Sequence, residues 1–263
     1  MRKITGMSLA RLESLQAGAA ILALVLLWEI LCATLKIQPW LLPPPSRIIR
    51  DTWEIRAVLP MHFLATLWAV VGGFFMAIAA GVPLAVAVVY SPLLRRIIYP
   101  LLLMLQSVPK VAIAPLMLIW VGYGMVSNMI IAATVAFFPI VINTATGLEA
   151  VDPELLDLTS SLDAAKIDIF LRVRLPWALP YLFSGLKVAV TLALIGAVVA
   201  EFIGADKGLG YLVLTSSSNM KTSIMFGMLV LLSAMGILCF YAVELAERLL
   251  CPWYLPAPTD AGP

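Results

Sequence analysis

Six apolar runs, each close to the roughly 20 residues that a helix needs to cross a bilayer, recur along this chain of 263 residues. They lie at 17–35, 63–90, 98–121, 126–147, 178–203 and 224–246. Hydrocarbon offers no partner to an open backbone N–H or C=O, so such runs fold as helices whose hydrogen bonds close within the segment. The alternative, a closed barrel, needs apolar and polar residues in alternation, and no such alternation occurs. Composition agrees. The chain is 62% hydrophobic and 12% charged, where a soluble domain carries about 25% charged residues. The fold class is therefore all-α and polytopic, with about six transmembrane helices. The first run is too long for a secretory signal, and no small-residue cleavage site follows it, so it reads as a retained span. A net charge of +2 implies no nucleic-acid partner. Cys32, Cys239 and Cys251 are widely spaced and apolar in context, which makes them packing residues without a disulfide or a metal role.

Lysine and arginine counts orient the bundle. Arg2, Lys3, Arg11, Arg95, Arg96, Lys166, Arg172, Arg174 and Arg248 fall on one side, and Lys36, Arg47, Arg50, Arg56, Lys207 and Lys221 on the other. The bias places both termini and the polar loop after residue 148 in the cytoplasm. Three regions follow: a cytoplasmic N-terminus over 1–16, a single transmembrane domain over 17–250, and a Pro-rich, disordered cytoplasmic tail over 251–263. On the outer side, Pro43-Pro44-Pro45 is stiff. Ser46 can cap an amphipathic interfacial helix over 47–58. Gly204 to Gly210 reads as an outer turn or re-entrant loop.

Between the fourth and fifth spans lies a segment of different character, residues 152–176, DPELLDLTSSLDAAKIDIFLRVRLP. It is too polar for lipid and too apolar for a bare linker. Asp152 can cap a helix that opens with Pro153, and Glu154 and Asp157 favour its positive end. Leu155, Leu158 and Leu162 recur at helical spacing and give one apolar face suited to a groove on another protein. A break near Asp163 then starts a second short helix that re-enters the membrane at Pro176.

This segment resembles the EAA loop of binding-protein-dependent ABC importer permeases, which reads Glu-Ala-Ala, three residues, Gly, nine residues, then Ile-x-Leu-Pro. Asp157-Leu158-Thr159 stands at Glu-Ala-Ala, Asp163 at Gly, and Val173-Arg174-Leu175-Pro176 at the closing motif. Asp163 departs from the family's glycine, but Asp is among the few residues that tolerate a left-handed backbone. Three flanks resemble the nitrate/sulfonate/taurine branch: Val151 to Leu156, the stretch from Phe137 to Thr144, and Ala200-Glu201-Phe202-Ile203-Gly204 with Gly208 to Tyr211. The resemblance implies a type I importer permease in a bacterial inner membrane that works as a homodimer. It also implies two cytoplasmic ATPase subunits and a periplasmic or lipid-anchored binding protein. The ATPase-coupling residues would be Glu154, Leu155, Asp157, Leu158, Thr159, Leu162, Asp163, Ala164 and Pro176. No G-x-x-x-x-G-K-[ST] loop occurs in the chain, so this chain is expected to hold no cofactor and to catalyse nothing, with ATP and Mg on the partner ATPase. The implied solute is a small anion such as a sulfonate, taurine or nitrate; the alternative is a pyrimidine or other heteroaromatic vitamin precursor.

Four positions are candidates for the translocation path. Lys110 follows Pro109 within the third span, with Gln106 one turn earlier. A charge at that depth lines a pathway, or else pairs inside the bundle. Asn143 is polar within the fourth span. Glu201, at the outer end of the fifth, fits an outer gate or a snorkelling interfacial carboxylate. Lys187 reads as an interhelical hydrogen-bonding residue, Glu29 has no evident role, and His62 reads as interfacial. Ser184, Gly185, Ala189, Ala193, Gly196 and Ala197 form a small-residue face on the fifth span. That face serves either a two-fold interface and pore or packing within one subunit. Two other classes compete with the importer. An autonomous ion-coupled carrier would show inverted repeats and midplane charge pairs, and neither is evident. A membrane enzyme would need clustered His, Asp and Glu, and the chain has one histidine.

Overall fold

The computed structural model describes the backbone of residues 2–106 and 108–254, with side chains for all of these except 2–15, 17, 103, 106, 110 and 111. In chain order the helices are α1 (Arg2–Thr34), α2 (Pro45–Glu54), α3 (Leu59–Tyr90), α4 (Pro92–Gln106), α5 (Lys110–Val121), α6 (Met125–Glu149), α7 (Pro153–Ser161), α8 (Lys166–Ile169), α9 (Leu175–Gly204), α10 (Leu209–Ser218) and α11 (Thr222–Leu250). A π-helical turn, Phe170–Arg174, joins α8 to α9. No strand occurs among the described residues.

By length and composition α3, α6, the continuous run Lys166–Gly204 and α11 can each cross a bilayer, while Gly18–Thr34 and Ala112–Val121 are shorter apolar helices. The expected third span over 98–121 is not one helix. It is broken between α4 and α5, with Pro109 at the start of α5. Proline lacks the N–H that would continue the ladder and forces the residue before it toward extended backbone. At Pro176, where the second short helix was expected to re-enter the membrane, the chain stays helical from α8 through the π turn into α9. The π turn just before it explains this: a wider turn relieves the clash between a proline ring and the carbonyl one turn back.

Contacts group the chain into two compact units: Met1–Pro60 with Leu212–Leu231, and Met61–Tyr211 with Leu232–Pro263. In the first, residues 2–16 are the opening turns of α1. Glu29 gains a role there. Its carboxylate accepts the Ser46 N–H at 3.0 Å and the Ser46 hydroxyl at 2.7 Å, so α1 caps the start of α2. Ser46 therefore does not act as the cap. Pro44 holds that position without a side-chain hydrogen bond, and α2 ends at Glu54, short of the expected 58. The Thr222 hydroxyl donates to the Trp40 carbonyl at 2.7 Å and ties α11 to the loop before α2.

In the second unit α6 lies along α9, and small residues set the spacing. A Cβ on Gly196 would stand 2.9 Å from the Ala132 Cα, and one on Gly185 2.9 Å from the Pro139 carbonyl. Ala189, Ala193 and Ala197 are fully buried. The small-residue face of α9 is thus consumed within this subunit, because small side chains let backbones approach and gain dispersion where lipid offers no hydrophobic drive. It does not present a two-fold interface. The face of α9 left exposed carries Trp177, Tyr181, Val188 and Ile195. All three cysteines are free and buried. Burial, with Glu247 nearby, pushes the Cys251 thiol above its usual range. Of the expected tail, Cys251 to Tyr254 form a turn closed by Tyr254 N–H to the Cys251 carbonyl at 3.0 Å. Residues 255–263 lie outside the described residues.

Candidate coupling surface and translocation path

The polar loop folds as its local chemistry dictates. Asp152 accepts the Glu154 N–H at 2.9 Å and caps α7, and Pro153 stands at the first helical position, where its missing N–H costs nothing. Asp163 takes φ +51°. That left-handed residue lets its own N–H reach the Ser160 carbonyl at 3.1 Å and the Ala164 N–H reach the Thr159 carbonyl at 3.3 Å, closing the helix end as a C-terminal αL residue does. Thr159 bonds back to the Leu156 carbonyl at 2.9 Å. Leu158 and Leu162 are 58% and 73% exposed, while Leu155 is half-buried. Glu154 and Asp157 are exposed, and Ala164 and Pro176 are half-buried. With Ile167 and Leu171, also exposed, the loop presents an apolar crest ringed by charge.

Behind the crest, Arg174 fastens the loop to the bundle. Its guanidinium lies over the Tyr90 ring, 5.4 Å from the centroid, and Nη1 donates to the Leu148 carbonyl at 3.4 Å. Phe170 meets the same Tyr90 edge-on, at 5.9 Å between centroids. Arg95 and Glu149, 54 positions apart, pair at 3.1 Å and join α4 to the end of α6. A cation at a helix C-terminus meets the negative end of its dipole. Sequence reasoning passed over Arg174 because it fills the variable position of the closing motif. Only the approach of α3 and α6 gives it partners.

Of the path candidates, Asn143 and Glu201 have described side chains, and they bond to different partners. Gln106 and Lys110 mark the end of α4 and the start of α5, and their side chains lie outside the described residues. Asn143 is half-buried and donates to the Pro139 carbonyl at 2.8 Å. It packs where Gly185 leaves room, on the α6–α9 seam. Glu201 is only 2% exposed, so it does not snorkel. Its Oε2 accepts the Gly210 N–H at 2.7 Å. His62 Nδ1 accepts the Gly208 N–H at 3.0 Å, and Thr66 Oγ1 accepts the Leu209 N–H at 2.8 Å. Together these three side chains cap the first turn of α10, whose leading N–H groups would otherwise be buried without partners. His62 is 5% exposed and stacks on Tyr211 at 5.9 Å, so its interfacial reading is corrected as well. Lys187 forms an ion pair with Glu247 across α9 and α11. Its charge was legible in the sequence, but the partner lies 60 positions away.

At the end of the unit opposite α7, the loops after α5 and α9 enclose a pocket of about 570 Å³ lined by Tyr123, Gly124, Asn128, Gly204, Asp206 and Lys207, among others. Tyr123 rests against the bare Cα of Gly204 and is 78% exposed.

Comparison with known proteins converges on one family. Residues 55–254 match the model of the "Binding-protein-dependent transport system inner membrane component". The chain is 34% identical to the formylaminopyrimidine transport permease protein ThiX of Halalkalibacterium halodurans, over 92% of this chain and 96% of that one. It is 28% identical to the taurine transport system permease protein TauC of Escherichia coli, over 94% and 92%. The MetNI methionine ABC transporter in an inward-facing conformation shares its fold, with TM-score 0.62 and 21% identity over 74% of this chain and 97% of that one. Family membership displaces the autonomous carrier: the chain belongs to the binding-protein-dependent transport system inner membrane components.

Proposed function

We propose that this chain is the permease subunit of an ATP-driven importer, paired with a second copy of itself and driven by two cytoplasmic ATPase subunits that hold ATP and Mg. A periplasmic or lipid-anchored binding protein delivers the solute. The observation that carries the reading is the apolar crest of α7. Leu158 and Leu162 are exposed on a helix that Asp152 and Asp163 fix at both ends, which is the form of a rigid knob for a groove in a soluble partner. ATP-driven closure of the ATPase pair moves the two knobs. Arg174 and the π turn pass that motion to α3, α6 and α9, and the bundle alternates between outward and inward access. Affinity for the solute resides mainly in the binding protein. The coupling loop faces the cytoplasm, in keeping with the lysine and arginine distribution.

The solute is a small anion such as a sulfonate, taurine or nitrate, the cargo for which several relatives are named. A second reading, a pyrimidine-type vitamin precursor, is favoured by the 34% identity to ThiX. Purification of the tagged chain from its native membrane in mild detergent tests the assembly. A stoichiometric ATPase should accompany the wild-type chain and be lost from Leu158→Glu and Leu162→Glu, with the bundle still folded. One buried apolar side chain is worth about 1.5–3 kcal/mol, so association should weaken by at least about tenfold. Undiminished co-purification of both variants would rule out α7 as the contact.

A further inference from the structure

The helix pair α4–α5 is anchored on one side and open on the other. Leu102 of α4 packs with Ala85 of α3 and with Phe138, Val141 and Ala145 of α6. Ala114 and Leu118 of α5 pack with Ile131 of α6 and Ala200 of α9. The opposite side is bare. Met104, Leu105, Leu116, Ile119 and Trp120 are exposed there, Ile119 at 76%. An exposed apolar face alone says nothing in a membrane helix, since lipid covers it. The backbone sets this one apart. α4 has 15 residues and α5 has 12, so they reach about 22 and 18 Å, each short of a hydrocarbon core of about 30 Å. Apolar sequence continues on both sides of their junction, over 97–105 and Ala112–Val121. The junction therefore falls at membrane depth. Its described residues, Val108 and Pro109, are both exposed. Pro109 is extended, with ψ 98°, and α5 starts without a side-chain cap.

A broken helix leaves orphan carbonyls at the end of one half and orphan N–H groups at the start of the other. Two of these bonds are recovered locally. The Val108 N–H donates to the Leu105 carbonyl at 3.3 Å, and the Ala112 N–H to the Pro109 carbonyl at 2.9 Å. Pro109 itself has no N–H to offer. Open backbone at this depth persists only where protein buries it or where it lines a water-filled cavity, never against lipid. Exposed as they are on one chain, Val108 and Pro109 need a second wall. Continuous helices make no such demand. α3 runs unbroken over 32 residues, and its exposed Phe75 can face acyl chains with the backbone closed. We infer that the open side of α4–α5 is the two-fold contact with a second copy of this chain. A two-fold axis sets a surface against itself, so both junctions lie at one depth and face each other. Any other partner would have to bring its own polar lining to that level, which a second copy does by symmetry. Leu116, Ile119 and Trp120 close the contact along α5. The surface rests on the permease reading and deepens it: each copy supplies half the wall of the translocation path.

The test is thiol cross-linking of the full chain in its native membranes. Leu116→Cys and Ile119→Cys probe α5, and Phe75→Cys is the control on a closed helix. All three positions are exposed, so the fold persists. Each variant is treated with a short bis-methanethiosulfonate and run on a non-reducing gel. The native cysteines are buried, and the unsubstituted chain is the blank. Both α5 variants should shift to the mass of two chains, while Phe75→Cys stays at the mass of one. Dimers from Phe75→Cys but from neither α5 variant would overturn the surface. So would equal yields from all three, the mark of random collision. Light scattering of the unsubstituted chain in mild detergent is read separately. Two chains per particle without a bridge through α5 refutes the surface alone. One chain per particle refutes the paired permease, and the surface with it.

Discussion

Gly208 takes φ +129°, and a Cβ there would run into the Glu201 carboxyl group. The close approach exists because Glu201 reaches the first turn of α10 and accepts the Gly210 N–H. Glu201→Gln keeps an acceptor oxygen, while Glu201→Leu leaves a buried N–H unpaired, at about 1–3 kcal/mol. The leucine variant should therefore melt well below both the wild type and the glutamine variant in a detergent thermal-shift measurement. Equal melting of the two variants would show that the cap is dispensable. At this scale the sequence was half legible. Asp152, Pro153 and Asp163 could be placed because their roles depend on neighbours within a few positions. Glu201, His62 and Glu29 could not. Their acceptors serve N–H groups 9, 146 and 17 positions away, and nothing local marks a side chain for a distant helix start.

At the scale of elements, α9 and α11 are joined by the Lys187–Glu247 pair, whose side chains are 23% and 14% exposed. Removing one member leaves the other charge without compensation. Lys187→Met should accordingly destabilise by about 3–5 kcal/mol. The double variant Lys187→Met with Glu247→Leu, which removes both charges, should recover most of that loss, because replacing a buried pair by apolar side chains is often neutral. A double variant as unstable as the single one in thermal unfolding would argue against the pair as the cause. Helix existence was legible here, since long apolar runs have few alternatives. Helix continuity was not. Five internal prolines, Pro83, Pro100, Pro115, Pro139 and Pro180, sit inside helices, yet the chain breaks at Pro109. Whether a proline breaks or merely strains a helix depends on what neighbouring segments supply to the freed carbonyl.

At the scale of the whole molecule, the proposed orientation makes a plain demand on accessibility. Asp163→Cys should react with an impermeant thiol reagent only in inverted vesicles, and Lys207→Cys only in intact spheroplasts. Labelling of both from one side would overturn the orientation. The sequence by itself determined that this chain is a helical membrane protein with one amphipathic projection, because desolvation of the backbone leaves a long apolar run no other choice and local capping fixes a short helix. It carried enough of the loop pattern to point to the importer family. What only the tertiary structure decided is which face of α9 packs inward, where Lys187, Glu201 and Arg174 find partners, and that two distant loops bring Asp206, Lys207 and the α6 N-terminus around one pocket. Those outcomes depend on the approach of segments far apart in sequence, and the energy of such contacts is settled by distance in space, which the order of residues along the chain does not encode locally.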